Sequence, residues 1–181
     1  MEHLETALEE AGVHRSREAS PPAIAFLDLS GYTRRTEEAG DDVAAEHARS
    51  LVDLVRRASA QNGGRLVKTL GDGAMFHFDR PFAAVRCGLE LVERAPSEGL
   101  PPARVGVNAG PLIQRDGDYF GRTVNIAARV SDYARPNEVL ATAEARRRCE
   151  GIEFDEIGEV SLKGVPDPVE LFSARRASHR G

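Results

Sequence analysis

The chain has 181 residues, and 24 Lys and Arg against 29 Asp and Glu give a formal charge of −5. That length suits one domain able to bury roughly 70% of its unfolded surface, so neither a disulfide nor a metal is needed for folding. The acidic balance argues against nucleic-acid binding through bulk charge, and 41% hydrophobic with 29% charged residues excludes a disordered chain.

Two cysteines, Cys87 and Cys149, are too few for a disulfide framework or a thiolate metal cage, and point to a reducing cytoplasm. No apolar run approaches the ~20 residues that span a bilayer. The acidic start MEHLETALEEAGVH lacks the basic and apolar regions of a secretory signal.

In chain order, Leu4, Ala7, Leu8 and Ala11 recur at helical spacing and predict a short amphipathic helix over 1–15. SREASPP (16–22) has linker composition, with Pro21–Pro22 barring helix continuation. The expected division is a helix and linker over 1–22, a main domain over 23–177 and a tail over 178–181.

AIAFLD (23–28) reads as a buried strand. Ala44, Ala48, Leu51, Val55 and Ala58 predict a helix over 41–61, stopped by Gly63–Gly64. RLVKTL and AMFHF flank Gly71-Asp72-Gly73 and predict an antiparallel hairpin. Phe82, Val85, Leu89 and Val92 mark a second helix, and ARVGVNA (103–109) a further strand. This order is the split βαββαβ arrangement, an α+β, ferredoxin-like sheet. A short strand at 112–115, a turn at RDGD, a helix over 122–134 and strands in EVLAT, EFDEIGEVSL and PVELFSA follow as C-terminal additions.

Asp28 closes the first strand and Asp72 sits at the hairpin tip. Taken singly, the first reads as a turn cap and the second as ordinary Asp-Gly turn chemistry. The topology makes the strand end and the hairpin tip neighbours. Two carboxylates meeting there repel each other unless a cation lies between them, and Mg²⁺ or Mn²⁺ takes such oxygen ligands. In DYFGRTVNIAARV (118–130), Asn125 and Arg129 are four residues apart and share a helix face. Their apolar and small neighbours predict a largely buried helix, in which an amide and a guanidinium need a polar partner such as a sugar or phosphate oxygen.

FLDLSGYT, VKTLGDG and DYFGRTVNIAARV, in this order, resemble the catalytic domain of the class III nucleotidyl cyclases, specifically the bacterial adenylyl type, over roughly 23–175. The resemblance implies a ferredoxin-like domain acting as a head-to-tail homodimer with its active sites at the interface. Asp28 and Asp72 match the aspartates that bind two Mg²⁺ or Mn²⁺ ions. Lys68 and Asp118 match the pair that reads the purine. Asn125 matches the residue that orients the ribose, Arg129 the one that stabilises the α-phosphate, and Lys163, in SLKGV, a triphosphate-binding lysine. Lysine donating to ring N1 and a carboxylate accepting from the N6 amine imply adenine. The resemblance therefore implies ATP as substrate and a cytoplasmic enzyme releasing 3′,5′-cyclic AMP and pyrophosphate, with no nucleic-acid partner and no transmembrane segment in this chain.

The alternatives are a cyclase acting on GTP or a pyrimidine triphosphate, a silent cyclase-like dimerisation module, and an RNA-binding domain of the same strand order. RNA binding would require exposed aromatics on the central strands and a basic face. RLVKTL offers no aromatic residue and the chain is acidic. His77 is expected to be a strand residue with a local partner, Arg146–Arg148 a solvated helix face, and both cysteines small buried groups.

Overall fold

The computed structural model describes residues 20–32, 37–38, 40 and 41–178. The helix expected over 1–15 and nearly all of the expected tail lie outside them. Among the described residues nine strands form in chain order: β1 (Ala23–Leu29), β2 (Gly64–Leu70), β3 (Gly73–Phe78), β4 (Ala103–Ala109), β5 (Ile113–Arg115), β6 (Asp118–Phe120), β7 (Val139–Thr142), β8 (Ile152–Val160) and β9 (Val169–Arg176). The helices are α1 (Asp41–Gln61), α2 (Pro81–Arg94), α3 (Arg122–Tyr133) and the single turn α4 (Ala143–Arg146).

Seven strands make one sheet in the order β2-β3-β1-β4-β7-β9-β8, while β5 and β6 form a separate two-stranded arm. Every pairing in the large sheet is antiparallel except β4 with β7. The first four strands carry the expected βαββαβ connectivity, and the architecture is the expected mixed α+β one.

Strand alternation divides the sheet into two faces. Ala23, Ala25, Leu27 and Leu29 of β1, with Phe76 and Phe78 of β3, pack under Leu51, Leu54, Val55 and Ala58 of α1 and Ala84, Val85 and Leu91 of α2. Ile24 and Phe26 point the other way, in one cluster with Met75, Tyr119 and Ala127. This second face lies under α3, and it is the face that carries the polar residues considered below.

Two glycines set how closely the layers approach. A Cβ at Gly106 in β4 would lie 2.1 Å from the Ser131 backbone nitrogen, so α3 rests directly on the strand. A Cβ at Gly73 would lie 2.6 Å from the Leu27 carbonyl oxygen, so the β2–β3 hairpin lies flush against β1. Buried Asn108 ties the same elements together: its Nδ2 donates to the Thr123 carbonyl at 3.1 Å, and its Oδ1 accepts from Thr142 Oγ1 at 2.7 Å.

Both cysteines are buried and free. Burial pushes each thiol up to about 12, which leaves them unreactive. Among the described residues, no helix is long and apolar enough to cross a membrane.

Candidate functional site

Asp28 pairs across the sheet with Gly73, and the Leu29 N–H donates to the Asp72 carbonyl at 3.2 Å, so the expected meeting of strand end and hairpin tip is present. The two side chains feel one another. Asp72 is held above the usual carboxylate range, first by burial and then by the charge of Asp28. Beside them a cavity of about 230 Å³ is lined by Phe26, Leu27, Asp28, Leu70, Gly73 and three residues of α3.

Arg104 in β4 was not singled out from the sequence. Its Nη2 and Nε donate to Asp28 Oδ2 at 2.6 and 2.9 Å. Its Nη1 reaches the carbonyls of Asp132 at 3.0 Å and Ala134 at 3.4 Å, at the C-terminal end of α3. Arg104 and Asp28 are directly paired across β4 and β1, so alternation puts both on the α3 face. The signal in the sequence is an arginine inside a largely apolar strand.

Lys68 and Asp118 also meet. Lys68 Nζ donates to Asp118 Oδ2 at 2.6 Å, and the Tyr119 N–H donates to Oδ1 at 2.8 Å. These two bonds hold Asp118 below the usual carboxylate range. A β-bulge makes the first contact possible. Leu66 pairs with Phe76 but Lys68 pairs with Met75, leaving Val67 as an extra residue. The bulge turns Lys68 onto the face that Arg65 occupies and away from that of Leu66.

Asn125 and Arg129 require a correction. Both are exposed, because α3 buries only one stripe, Thr123, Ile126, Ala127, Val130 and Ser131. Arg129 Nη1 pairs with Asp132 Oδ2 at 3.1 Å, a contact within its own helix. The backbone of Ser131 and Val130 packs on Gly106, and the small residues of α3 do not signify burial all round. Lys163 is exposed in the turn between β8 and β9. No hydrogen bond or ion pair joins Lys163 or Asn125's side chain to the other named groups among the described residues.

His77 has the expected local partner, stacking on Tyr119 with ring centroids 4.7 Å apart. Arg146 is only partly as expected, since its guanidinium lies 4.3 Å from the centre of the Phe172 ring.

The donor chemistry at Asp28 and Asp72 fits a hard divalent cation, because the charge of Asp28 raises the cost of charge on Asp72 and Arg104 satisfies only one oxygen of Asp28. No cluster of three or more His, Cys, Asp or Glu occurs among the described residues. A cation bound by these two aspartates would therefore complete its shell with oxygens from backbone, substrate or water.

Comparison with known proteins agrees with this geometry. Residues 15–174 match the family described as the adenylate and guanylate cyclase catalytic domain. A pH-sensitive adenylate cyclase of Mycobacterium tuberculosis is 31% identical over 188 residues, covering 98% of this chain and 47% of that protein. An adenylate cyclase of Streptomyces coelicolor is 44% identical over 124 residues, covering 65% of this chain and 31% of the other. The adenylyl cyclase CyaB from P. aeruginosa superposes with a TM-score of 0.77 at 22% identity, over 87% of this chain and 95% of that one, a likeness of fold. The chain thus spans less than half the length of these two curated relatives. With its motifs, sheet order and matched span in agreement, the chain belongs to the adenylate and guanylate cyclase catalytic domain family.

Proposed function

We propose that the chain is an adenylyl cyclase domain, with residues 23–177 as the catalytic unit, forming two composite sites in a head-to-tail homodimer. The observation that carries this reading is the approach of Asp28 and Asp72 at one end of β1 in a chain of this family. The Lys68–Asp118 pair supports ATP as the substrate.

In the proposed reaction the ribose 3′-hydroxyl gives its proton to solvent, its oxygen bonds to the α-phosphorus, the bond to the bridging oxygen breaks, and pyrophosphate leaves with its electron pair. The protein forms no covalent intermediate, so its contribution is positioning and charge. Asp28 and Asp72 would hold Mg²⁺ or Mn²⁺, which would supply Lewis-acid chemistry toward the 3′-hydroxyl and the phosphate charge.

Lys68 donates to adenine N1 and Asp118 accepts from the N6 amine, so their mutual bond opens to admit the base. Asn125 orients the ribose. Arg129, exposed and tied only to a neighbour on its own helix, swings to the α-phosphate as negative charge develops there. Lys163 meets the β- and γ-phosphates.

One chain contains both the carboxylate set and the base, ribose and phosphate set. A two-fold dimer then forms two equivalent sites, each drawing one set from each copy. Ile113 and Phe120 face each other across the β5–β6 arm and are 60% and 47% exposed, which suits burial against the second copy.

The test is an assay of the purified chain with Mn²⁺ and ATP, GTP, CTP or UTP in turn, following cyclic nucleotide and pyrophosphate. Cyclic AMP formed in preference to the other products is expected. Preferred turnover of GTP or UTP would overturn the base assignment. Absence of all turnover from a folded dimer would make the chain a silent regulatory module.

A further inference from the structure

The β5–β6 arm has strands of only three residues each, joined by a turn in which Asp116 and Gly117 have φ of 52° and 78°. An isolated hairpin of this size has marginal stability in water. Ile113, Gln114 and Arg115 of β5 are all exposed, so that strand adds little burial. The arm reaches the sheet chiefly through Tyr119, which is 6% exposed.

Tyr119 is gripped from two sides. Its ring lies parallel to His77 of β3, with an interplanar angle of 6°. The Arg65 guanidinium of β2 sits 5.2 Å from the Tyr119 ring centre, and its Nη2 also donates to the Tyr119 hydroxyl. Arg65 and His77 are themselves directly paired across β2 and β3, so sheet register builds both jaws together. Asp118 precedes Tyr119 immediately, and the Tyr119 N–H orients its carboxylate.

We propose that Arg65, His77 and Tyr119 form a clamp that seats the arm on the sheet and sets the reach between Asp118 and Lys68, making all three positioning residues for recognition of the base. This inference rests on the reading of Lys68 and Asp118 given above. The clamp touches neither base nor phosphate in that reading and acts only through Asp118.

The clamp is also sensitive to acid. Burial, and then the neighbouring Arg65, hold the His77 imidazole below its ordinary value of 6.5, with Asp79 opposing them. The residues clustered around Tyr119 from β1 and α3, namely Ile24, Val124 and Ala127, bring no charge. The seated arm therefore favours neutral His77. A proton taken up in acid, at a pH below that ordinary value, adds a second cation beside Arg65 and loosens the grip.

The test uses Tyr119→Leu and His77→Ala in the full chain, read by hydrogen exchange over residues 112–121 and by steady-state kinetics with ATP and GTP. Exchange about tenfold faster in the arm, with β1 and β4 unchanged, is expected. KM for ATP should rise about five-fold or more and the preference for ATP over GTP should fall, with kcat changing less. His77→Phe, which keeps an aromatic stack but cannot ionise, should lose the rise in KM that the parent shows in acid.

Should Tyr119→Leu fail to fold, Tyr119→Phe and Arg65→Met remove the jaw contact alone and carry the same expectation at smaller size. Unchanged exchange in the arm would overturn the clamp. Faster exchange with KM and base preference unchanged would overturn its link to Asp118. If the parent turns over no nucleotide, the reading of the base pair fails, while the exchange data still judge the clamp.

Discussion

Arg104 holds Asp28 through two guanidinium nitrogens, at 2.6 and 2.9 Å from the same carboxylate oxygen. The partners are only 27% and 28% exposed, so the pair is shielded enough to matter. Because Arg104 also reaches the last carbonyls of α3, one side chain links the carboxylate site to the helix that carries Asn125 and Arg129.

A cation arriving at Asp28 must compete with that guanidinium. Replacing Arg104 with Gln should cost the metal-free protein about 1–2 kcal/mol, by loss of a charge-assisted contact. Calorimetry should show this as a melting temperature lower by about 2–8 °C. Mn²⁺ without nucleotide should then raise the melting temperature of the variant by more than it raises the parent's. An equal or smaller rise would show that Arg104 does not compete.

Asp72 gives a pH signature of definite sign. Its native pKa is raised, so its ionised form costs stability above that pKa, and the cost vanishes as pH falls below the unfolded value. Asp72→Asn removes the charge at every pH. It should raise the metal-free melting temperature at pH 7 by about 1–3 °C and abolish stabilisation by added Mn²⁺. A variant that melts lower than the parent, yet still responds to Mn²⁺, would contradict the site.

For base recognition, Lys68→Gln and Asp118→Asn each remove the charge from a charge-assisted hydrogen bond. Each should lower kcat/KM for ATP by about 10- to 100-fold, most of it in KM. Both side chains are partly exposed, so melting temperatures should hardly move. Kinetics and melting compared side by side check both halves of the expectation.

Shared sites predict rescue between defective copies. Asp28→Ala and Asn125→Ala should each be nearly inactive. Mixed in equal amounts and allowed to exchange, they should recover about a quarter of parental activity, since half the dimers then hold one intact site. Failure of rescue when mass spectrometry confirms mixed dimers would exclude a site built from two chains.

The elements legible in the sequence were those with a clean period. The apolar spacing from Ala44 to Ala58 gave α1, and the Gly71-Asp72 turn gave the hairpin that brings Asp72 to Asp28. Three features escaped for physical reasons. Arg104 acts across the sheet, and an arginine in a strand has no local signature of its partner. Asn125 and Arg129 read as enclosed because Val124, Ile126, Ala127, Ala128 and Val130 surround them in sequence, yet α3 buries only one stripe and both polar side chains lie off it. The clamp on Tyr119 joins the β2–β3 hairpin to the distant strand β6, so no local window contains it.

The extra residue at Val67 divides the outermost strand into two lengths of opposite handedness in their in-and-out rhythm. The segment before it places Leu66 on the core face, and the segment after it brings Lys68 to Asp118. A lysine grafted at the same sequence position onto a strand without this insertion would face the hydrophobic interior. On the proposed reading of Lys68, transplanting nucleotide choice between related scaffolds means moving a backbone irregularity along with the side chain.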